Sequence, residues 1–339
     1  MNFKTKKLLN FFILLIFVIF IITFLISFWI YKCENFINNT YITTEIKIEK
    51  NENVSRTYDK VFKYLKTPIF FKKYLILMYD FASNRKYGYY KFTNKNIKSV
   101  LSDLKNGNTL KTKVTIPEGF NIYQIASTLE KSKIISYHDF INTATNNEII
   151  VKITGKSYKT LEGFLYPETY FFQYDETPIN IIKAMYKEFT NKLPSNFTEK
   201  VKENGLTFYE GLILASIIQK ETYIDAEYPL IASVFYNRLN RHMPLQSDPT
   251  VIYGIFQKFN GNLQKRHLKD KNNPYNTYIY KGLPPTPICN PSINALKAVM
   301  YPAKTDYLYF VADKNGKHHF SKTYNEHRRK VYKYQILRK

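Results

Sequence analysis

Cysteine is nearly absent from this 339-residue sequence: only Cys33 and Cys289 occur, and six histidines lie scattered along it. Neither set has a spacing that would hold a zinc ion, so no metal site is expected. A disulfide between Cys33 and Cys289 is open in an oxidising compartment, but nothing in the sequence makes the two neighbours. Cys33 follows Trp29-Ile30-Tyr31-Lys32, which lacks the small residues of a lipid-attachment site. Acidic residues are scarce too, 27 against 50 lysines and arginines, for a net charge of +23. That excess invites a nucleic-acid reading. However, the lysines are spread among Asn, Ile and Tyr, and there is no zinc finger, RNA-recognition signature or glycine-rich phosphate loop. No nucleic-acid partner is expected; the lysines fit biased residue usage and attraction to anionic lipid head groups or wall polymers. A Gly-x-Ser-x-Gly elbow and a plausible Cys/His nucleophile are missing as well.

What is present begins with a long apolar run. Residues 11–30 are interrupted only by Thr23 and Ser27. At ~1.5 Å per residue such a run spans a ~30 Å hydrocarbon layer. A cleaved signal peptide would have a shorter apolar region and a small-x-small cleavage site. This run ends instead in bulky Phe28, Trp29, Ile30 and Tyr31, so it reads as an anchor in the lipid bilayer. Lys4, Lys6 and Lys7 precede it and only Lys32 follows closely. The N-terminus is therefore expected in the cytoplasm and the rest outside, with Trp29 and Tyr31 at the outer interface.

Beyond the anchor, residues 33–55 are polar and read as a stalk or an irregular edge strand. Residues 61–77 read as one amphipathic helix, 86–92 as an aromatic strand, and 93–104 as a helix capped by Thr93 and stopped by Gly107. A second strand, turn and helix follow at 111–129. Residues 175–193, 208–222 and 229–239 read as helices. The last third reads as strand and loop around Pro249, Pro274, Pro284, Pro285, Pro287 and Pro291, with a strand at 308–312. Helices and strands are segregated, so the fold class is α+β. The division is 1–32 for cytoplasmic tip and anchor, 33–55 for stalk, 56–145 for an αβ region, and 146–339 for the motif-dense remainder.

Glu221 is the most informative residue. Leu214, Ile217 and Ile218 precede it by seven, four and three positions, so on a helix they share its face. A carboxyl that prolongs an apolar stripe loses water and keeps its proton, which is what a general acid needs. The bland alternative is a glutamate that ends its helix in solvent or pairs with a lysine. Gln246, Ser247, Asp248 and Thr250 crowd a proline-fixed turn, with Tyr253 and Tyr236 able to supply apolar faces. Such a mixture suits a sugar, whose hydroxyls need partners and whose C–H faces pack on rings. It equally suits a turn whose polar groups serve the backbone. Glu162, Glu168 and Asp248 are further carboxylates, because an ordinary glycoside hydrolase needs two.

These segments together resemble the MltG/YceG-like endolytic murein transglycosylases. The resemblance rests on Ala215-Ser216-Ile217-Ile218-Gln219-Lys220-Glu221-Thr222 and on Leu245-Gln246-Ser247-Asp248-Pro249-Thr250-Val251-Ile252-Tyr253-Gly254. It rests also on Tyr275-Asn276-Thr277-Tyr278 with Gly282-Leu283-Pro284-Pro285, on residues 302–312, and on the aromatic-Pro-acid segment 162–170. Weaker similarity reaches Ile116-Pro117-Glu118-Gly119 and Gly88-Tyr89-Tyr90-Lys91-Phe92.

The resemblance implies cleavage of the β-1,4 bond between N-acetylmuramic acid and N-acetylglucosamine in nascent peptidoglycan strands, without water, leaving 1,6-anhydromuramoyl ends. It implies Glu221 as acid and then base, no cofactor, and no second carboxylate. It makes residues 56–145 a LysM-like module and 146–339 the catalytic domain. It places the chain in the inner (cytoplasmic) membrane with that domain periplasmic or extracytoplasmic, near wall-synthesis polymerases or penicillin-binding proteins. Asn237, Gln246, Ser247, Asp248, Thr250, Tyr253 and Tyr278 are the expected glycan-groove residues. Gln219 stands where the family commonly carries a glutamate. A non-catalytic glycan-binding anchor, an adaptor for wall-synthesis enzymes, and a hydrolase remain the alternatives.

Overall fold

The computed structural model describes residues 3–83 and 85–337, and residues 3–5 by their backbone only. Residues 1–2 and 338–339, the outer edges of the first and last segments, lie outside the described residues, as does the side chain of Lys4. The chain divides into two compact units, Met1–Thr112 with Gln173–Asp175, and Lys113–Phe172 with Glu176–Lys339.

The first unit opens with α1, Phe3–Asn39, a helix with no glycine or proline to break it. From Lys6 to Asn39 it is long and apolar enough to cross a membrane, and its apolar side chains up to Phe28 are exposed. It continues past the apolar run without a break, and its last turns bring Cys33 and Ile37 into the core, both fully buried. Next come β1 Tyr41–Ile48, α2 Val54–Phe62, α3 Phe71–Tyr79, β2 Gly88–Asn96 and α4 Ile97–Asn106. β1 and β2 pair antiparallel, with Ile46 opposite Tyr90 and an irregularity between Ile42 and Thr44.

Residues 33–55, read as a stalk or an irregular edge strand, form the end of α1, the irregular strand β1 and the first residues of α2. The isoleucines 42, 46 and 48 keep the period of two that the intervening polar residues obscure, and all three are buried. The helix expected over 61–77 is two helices. Pro68 has no N–H to donate, and Phe70 adopts left-handed backbone at φ 58° between them. α4 starts at Ile97, later than expected, because Asn96 accepts from the Ser99 N–H and so caps it. Gly107, at φ 73°, ends it as expected.

β3 Lys111–Thr115 leads into the larger unit, followed by α5 Ile122–Lys131, α6 Tyr137–Ala144, α7 Asn147–Thr154 and β4 Thr169–Gln173, the partner of β3. Then come α8 Pro178–Lys192, α9 Phe197–Glu203, α10 Phe208–Glu221 and α11 Tyr228–Asn240. The last third holds α12 Asp248–Gly254, α13 Lys265–Leu268, α14 Ile293–Met300, the antiparallel pair β5 Tyr309–Ala312 and β6 His318–Ser321, and α15 Tyr324–Val331. It is more helical than expected. Pro249 starts a helix rather than ending one, since a missing N–H costs nothing in the first turn, and Ser292 caps α14 through the Ala295 N–H. The expected second strand–turn–helix lies in this unit, where Val114, Ile116, Ile122, Ile125 and Leu129 join its core.

α10 is the axis of the larger unit. Thr207 and Glu210 cap each other's backbone at its start, satisfying two orphan N–H groups. Every residue from Gly211 to Ile218 is buried, so the apolar face expected on one side surrounds the helix completely. α9, α11, α12 and α14 pack around it. The mixed α+β class stands.

Candidate active site

A helix buried on all sides must end somewhere, and α10 ends at Glu221, whose side chain is half-buried at the edge of a cleft of about 380 Å³. Ser247 Oγ donates to Glu221 Oε1 at 2.5 Å. Burial pushes the Glu221 carboxyl up to about 7 and nearby Asp248 adds to the rise, while the Ser247 hydrogen bond and the Arg238 charge oppose it. Near neutral pH the group is therefore divided between acid and carboxylate.

The loop before α12 builds the rim. Gln246 sits in left-handed backbone at φ 51°, and its N–H donates to the Thr277 carbonyl at 3.0 Å. Ser247 N–H donates to Thr277 Oγ1 at 3.0 Å, which fixes the hydroxyl that meets Glu221. Asp248 lines the cleft and accepts from Tyr278 OH at 2.6 Å. That carboxylate and burial both hold the Tyr278 phenol proton on, well above its ordinary range.

Of the residues expected in a groove, Glu221, Gln246, Asp248 and Tyr278 line this one cleft, with Ser247 bonded to Glu221 from beneath. Three others lie elsewhere. Asn237 donates to the Thr305 and Tyr307 carbonyls and lines a separate cleft of about 540 Å³ with Ser233 and Tyr236. Thr250 is fully buried, with its hydroxyl on the Ser247 carbonyl at 2.7 Å, so it supports the turn from behind. Tyr253 is buried and donates to Glu162 Oε2 at 3.0 Å.

Glu162 is a structural acid. Burial raises it to about 8 against hydrogen bonds from Ile122, Tyr253, Gly163 and Asn290. Glu168 is exposed and accepts from the Thr169 N–H. Gln219 is likewise occupied inside the fold, where it donates to Tyr228 OH and accepts from the Ser292 N–H that begins α14. Both cysteines are buried and free.

The cleft has a wall that sequence reasoning missed, made by Arg238, Tyr309, Phe310, Tyr324 and His327. Arg238 is almost wholly buried and is pinned to the Leu308 carbonyl at 2.7 Å and the Leu245 carbonyl at 2.9 Å. Its guanidinium lies 5.2 Å from the Tyr309 ring centre, and the His327 ring stacks on that tyrosine. The signal for Arg238 was one step of helical rotation: Asn237 and Arg238 are neighbours in α11, about 100° apart, and only the second reaches the cleft.

A model of the YceG-like family matches residues 46–333. The chain belongs to the YceG-like family. It is 36% identical over 277 residues to a protein of Bacillus subtilis strain 168 named endolytic murein transglycosylase, covering 76% of this chain and 75% of that one. It is 32% identical over 284 residues to a protein of the same name in Streptococcus pneumoniae D39, covering 75% of this chain and 51% of the other. Among solved structures, a putative YceG-like protein of Listeria monocytogenes superposes with a TM-score of 0.58 at 31% identity, covering 86% of this chain and 99% of that one. The matched YceG-like region contains both the cleft and the larger part of the first unit.

Proposed function

We propose that this chain is a lytic transglycosylase, anchored by α1, that cuts peptidoglycan glycan strands between N-acetylmuramic acid and N-acetylglucosamine. The observation that carries the reading is Glu221, a carboxyl held at about 7 on the edge of a polar, aromatic-walled cleft. Relatives named endolytic murein transglycosylase support the enzyme class and the substrate.

In this reading the protonated Glu221 gives its proton to the glycosidic oxygen as the bond from muramic C1 to that oxygen breaks. The carboxylate left behind takes the proton of the muramic 6-hydroxyl while O6 bonds to C1. One proton goes out and one returns, no water is consumed, and the product ends in a 1,6-anhydro ring. Ser247 steadies the carboxylate form, and Asp248 with Tyr278 and Gln246 offers donors and acceptors to sugar hydroxyls. Residues 56–145 carry the LysM-like reading, a second hold on glycan, although residues 113–145 pack with the larger unit. The anchor sits in the cytoplasmic membrane with the chain beyond it on the outer side, where wall-synthesis polymerases work.

Asp248 in the same cleft favours one other reading, a hydrolase with two carboxylates. Mass spectrometry of products from nascent, uncrosslinked strands separates the two. The detergent-solubilised full chain is the right sample, because Cys33 and Ile37 tie the end of α1 into the fold. Anhydromuramoyl ends from the wild type, and a fall of about 10²–10⁴ in rate for Glu221→Gln, are expected. Reducing ends would establish the hydrolase, and equal activity in the variant would remove Glu221 from the mechanism.

A further inference from the structure

The first unit carries an exposed apolar surface that is no part of the cleft's lining. Between α2 and α3 the chain exposes Tyr64 (85%), Ile69 (75%) and Phe70 (65%), and α3 adds Leu77 (78%) and Met78. Five large apolar or aromatic side chains in one short stretch are costly to leave in water. Phe70 adds a second cost, since a bulky residue at φ 58° is strained where glycine or asparagine would not be. Lysine accompanies them: Lys60, Lys63, Lys66, Lys72 and Lys73 fall in residues 60–79, which contain no acid. Lys63 lies 5.1 Å from the Tyr64 ring centre and Lys73 5.4 Å from that of Phe70, so each exposed ring has a cation at its face.

The depth of this surface is set by Trp29. Its indole Nε1 donates to the Ile69 carbonyl at 2.7 Å, and its ring meets Tyr74 of α3 edge-on at 5.5 Å. Trp29 is the penultimate residue of the apolar run 11–30, the level at which a tryptophan marks the boundary between hydrocarbon and head groups. Whatever bonds to Trp29 lies at that boundary.

We propose that residues 63–78 form a second membrane contact, a loop and helix face that rest in the outer head-group layer of the bilayer α1 spans. Ile69, Phe70, Leu77 and Met78 enter the acyl boundary, and Lys63, Lys66 and Lys73 meet anionic lipid phosphates. This is the composition of an interfacial element, apolar side chains flanked by lysine. The proposal rests on the reading of α1 as an anchor.

The test uses the full chain in vesicles of phosphatidylcholine and phosphatidylglycerol, with single cysteines introduced for a bimane label; the native thiols are buried. Ile69→Cys and Leu77→Cys report the surface, Ile19→Cys the anchor, and Lys91→Cys the exposed face of β2. Lipids brominated along the acyl chain quench what they touch. The expected result is roughly twofold or greater quenching at 19, 69 and 77 with none at 91. Quenching at 19 with 69 and 77 as bright as 91 overturns the second contact and leaves the anchor standing. No quenching at 19 overturns the anchor reading and this proposal with it. Phe70→Asp, with its far-UV spectrum unchanged, is expected to lower the quenching at 77 by half or more; unchanged quenching there counts against the apolar insertion.

Discussion

Two neighbours pull the Glu221 carboxyl in opposite directions, and each can be removed alone. Burial is the main cause of its rise to about 7, Asp248 adds to it, and the Ser247 hydroxyl works against it. As the proposed general acid, Glu221 must be protonated to act, so kcat/KM is expected to fall through an alkaline limb near pH 7. Asp248→Asn takes away a negative charge, so the limb moves to lower pH. Ser247→Ala takes away a donor to the carboxylate, so the limb moves to higher pH. A pH–rate series on the three proteins decides the matter, and shifts of the same sign would contradict the geometry. The desolvation of the Glu221 carboxyl was legible in the sequence, since its helix carries apolar residues at the spacing that produces it. Asn237, Thr250 and Tyr253 show why the other choices were harder. Their residue types suit a sugar, but here the same hydrogen-bonding groups hold the backbone at 305–307, the turn at Ser247, and Glu162.

Among elements, the end of α10 is clasped to the β5–β6 hairpin. Thr222, the residue after Glu221, donates to Glu227 Oε2 at 2.9 Å, and the His318 backbone and ring meet the same carboxylate at 2.8 and 2.7 Å. Burial works to raise Glu227, but His318 and Thr222 hold it below its ordinary value. Glu227→Ala is expected to destabilise the fold by about 1–3 kcal/mol, because the Thr222 hydroxyl and the His318 N–H lose their buried acceptor, measured by denaturant titration. The same hairpin carries Tyr309 and Phe310 into the cleft, so a loss of activity larger than the loss of folded protein should accompany it. Helix α12 depends on a close approach: a Cβ on Gly254 would lie 1.9 Å from Asn273 Oδ1, and Asn273 is tied to the Val251 carbonyl and the Tyr275 N–H. Gly254→Ala is therefore expected to lower the melting temperature sharply, by several degrees. Elements with apolar residues at helical spacing, such as α4 and α10, could be read locally, whereas α14 lies in the stretch read as strand and loop. The wall formed by β5 and α15 could not, because it meets Glu221 across roughly ninety to a hundred residues of sequence, and no local period records such a pairing.

For the molecule as a whole, the raised carboxyls of Glu118, Glu162 and Glu221 make stability depend on pH. Glu162 at about 8 and Glu221 at about 7 both start from an ordinary 4.5. Between 4.5 and those values the folded chain holds protons that the unfolded chain releases, so stability falls as pH rises and levels off above about 8. Glu227, Glu52 and Asp313 are lowered and act below 4.5, where their contribution is lost with acid. Greatest stability is expected near pH 5, and urea titrations at pH 5 and 8 check it. Glu162→Gln should flatten the slope between them, though its amide faces Asn290 and lowers stability throughout by about 1–3 kcal/mol.

α1 runs unbroken for 37 residues, about 55 Å, from the first described turn into the core of the first unit. A flexible tether would let that unit wander through a hemisphere above its point of attachment. With α1 as the proposed anchor, a continuous helix would instead make it a fixture, set at one height and tilt, free mainly to spin and drift in two dimensions. Its encounters would then be those of a swimmer confined to a surface, decided by what is brought within a fixed height of the bilayer.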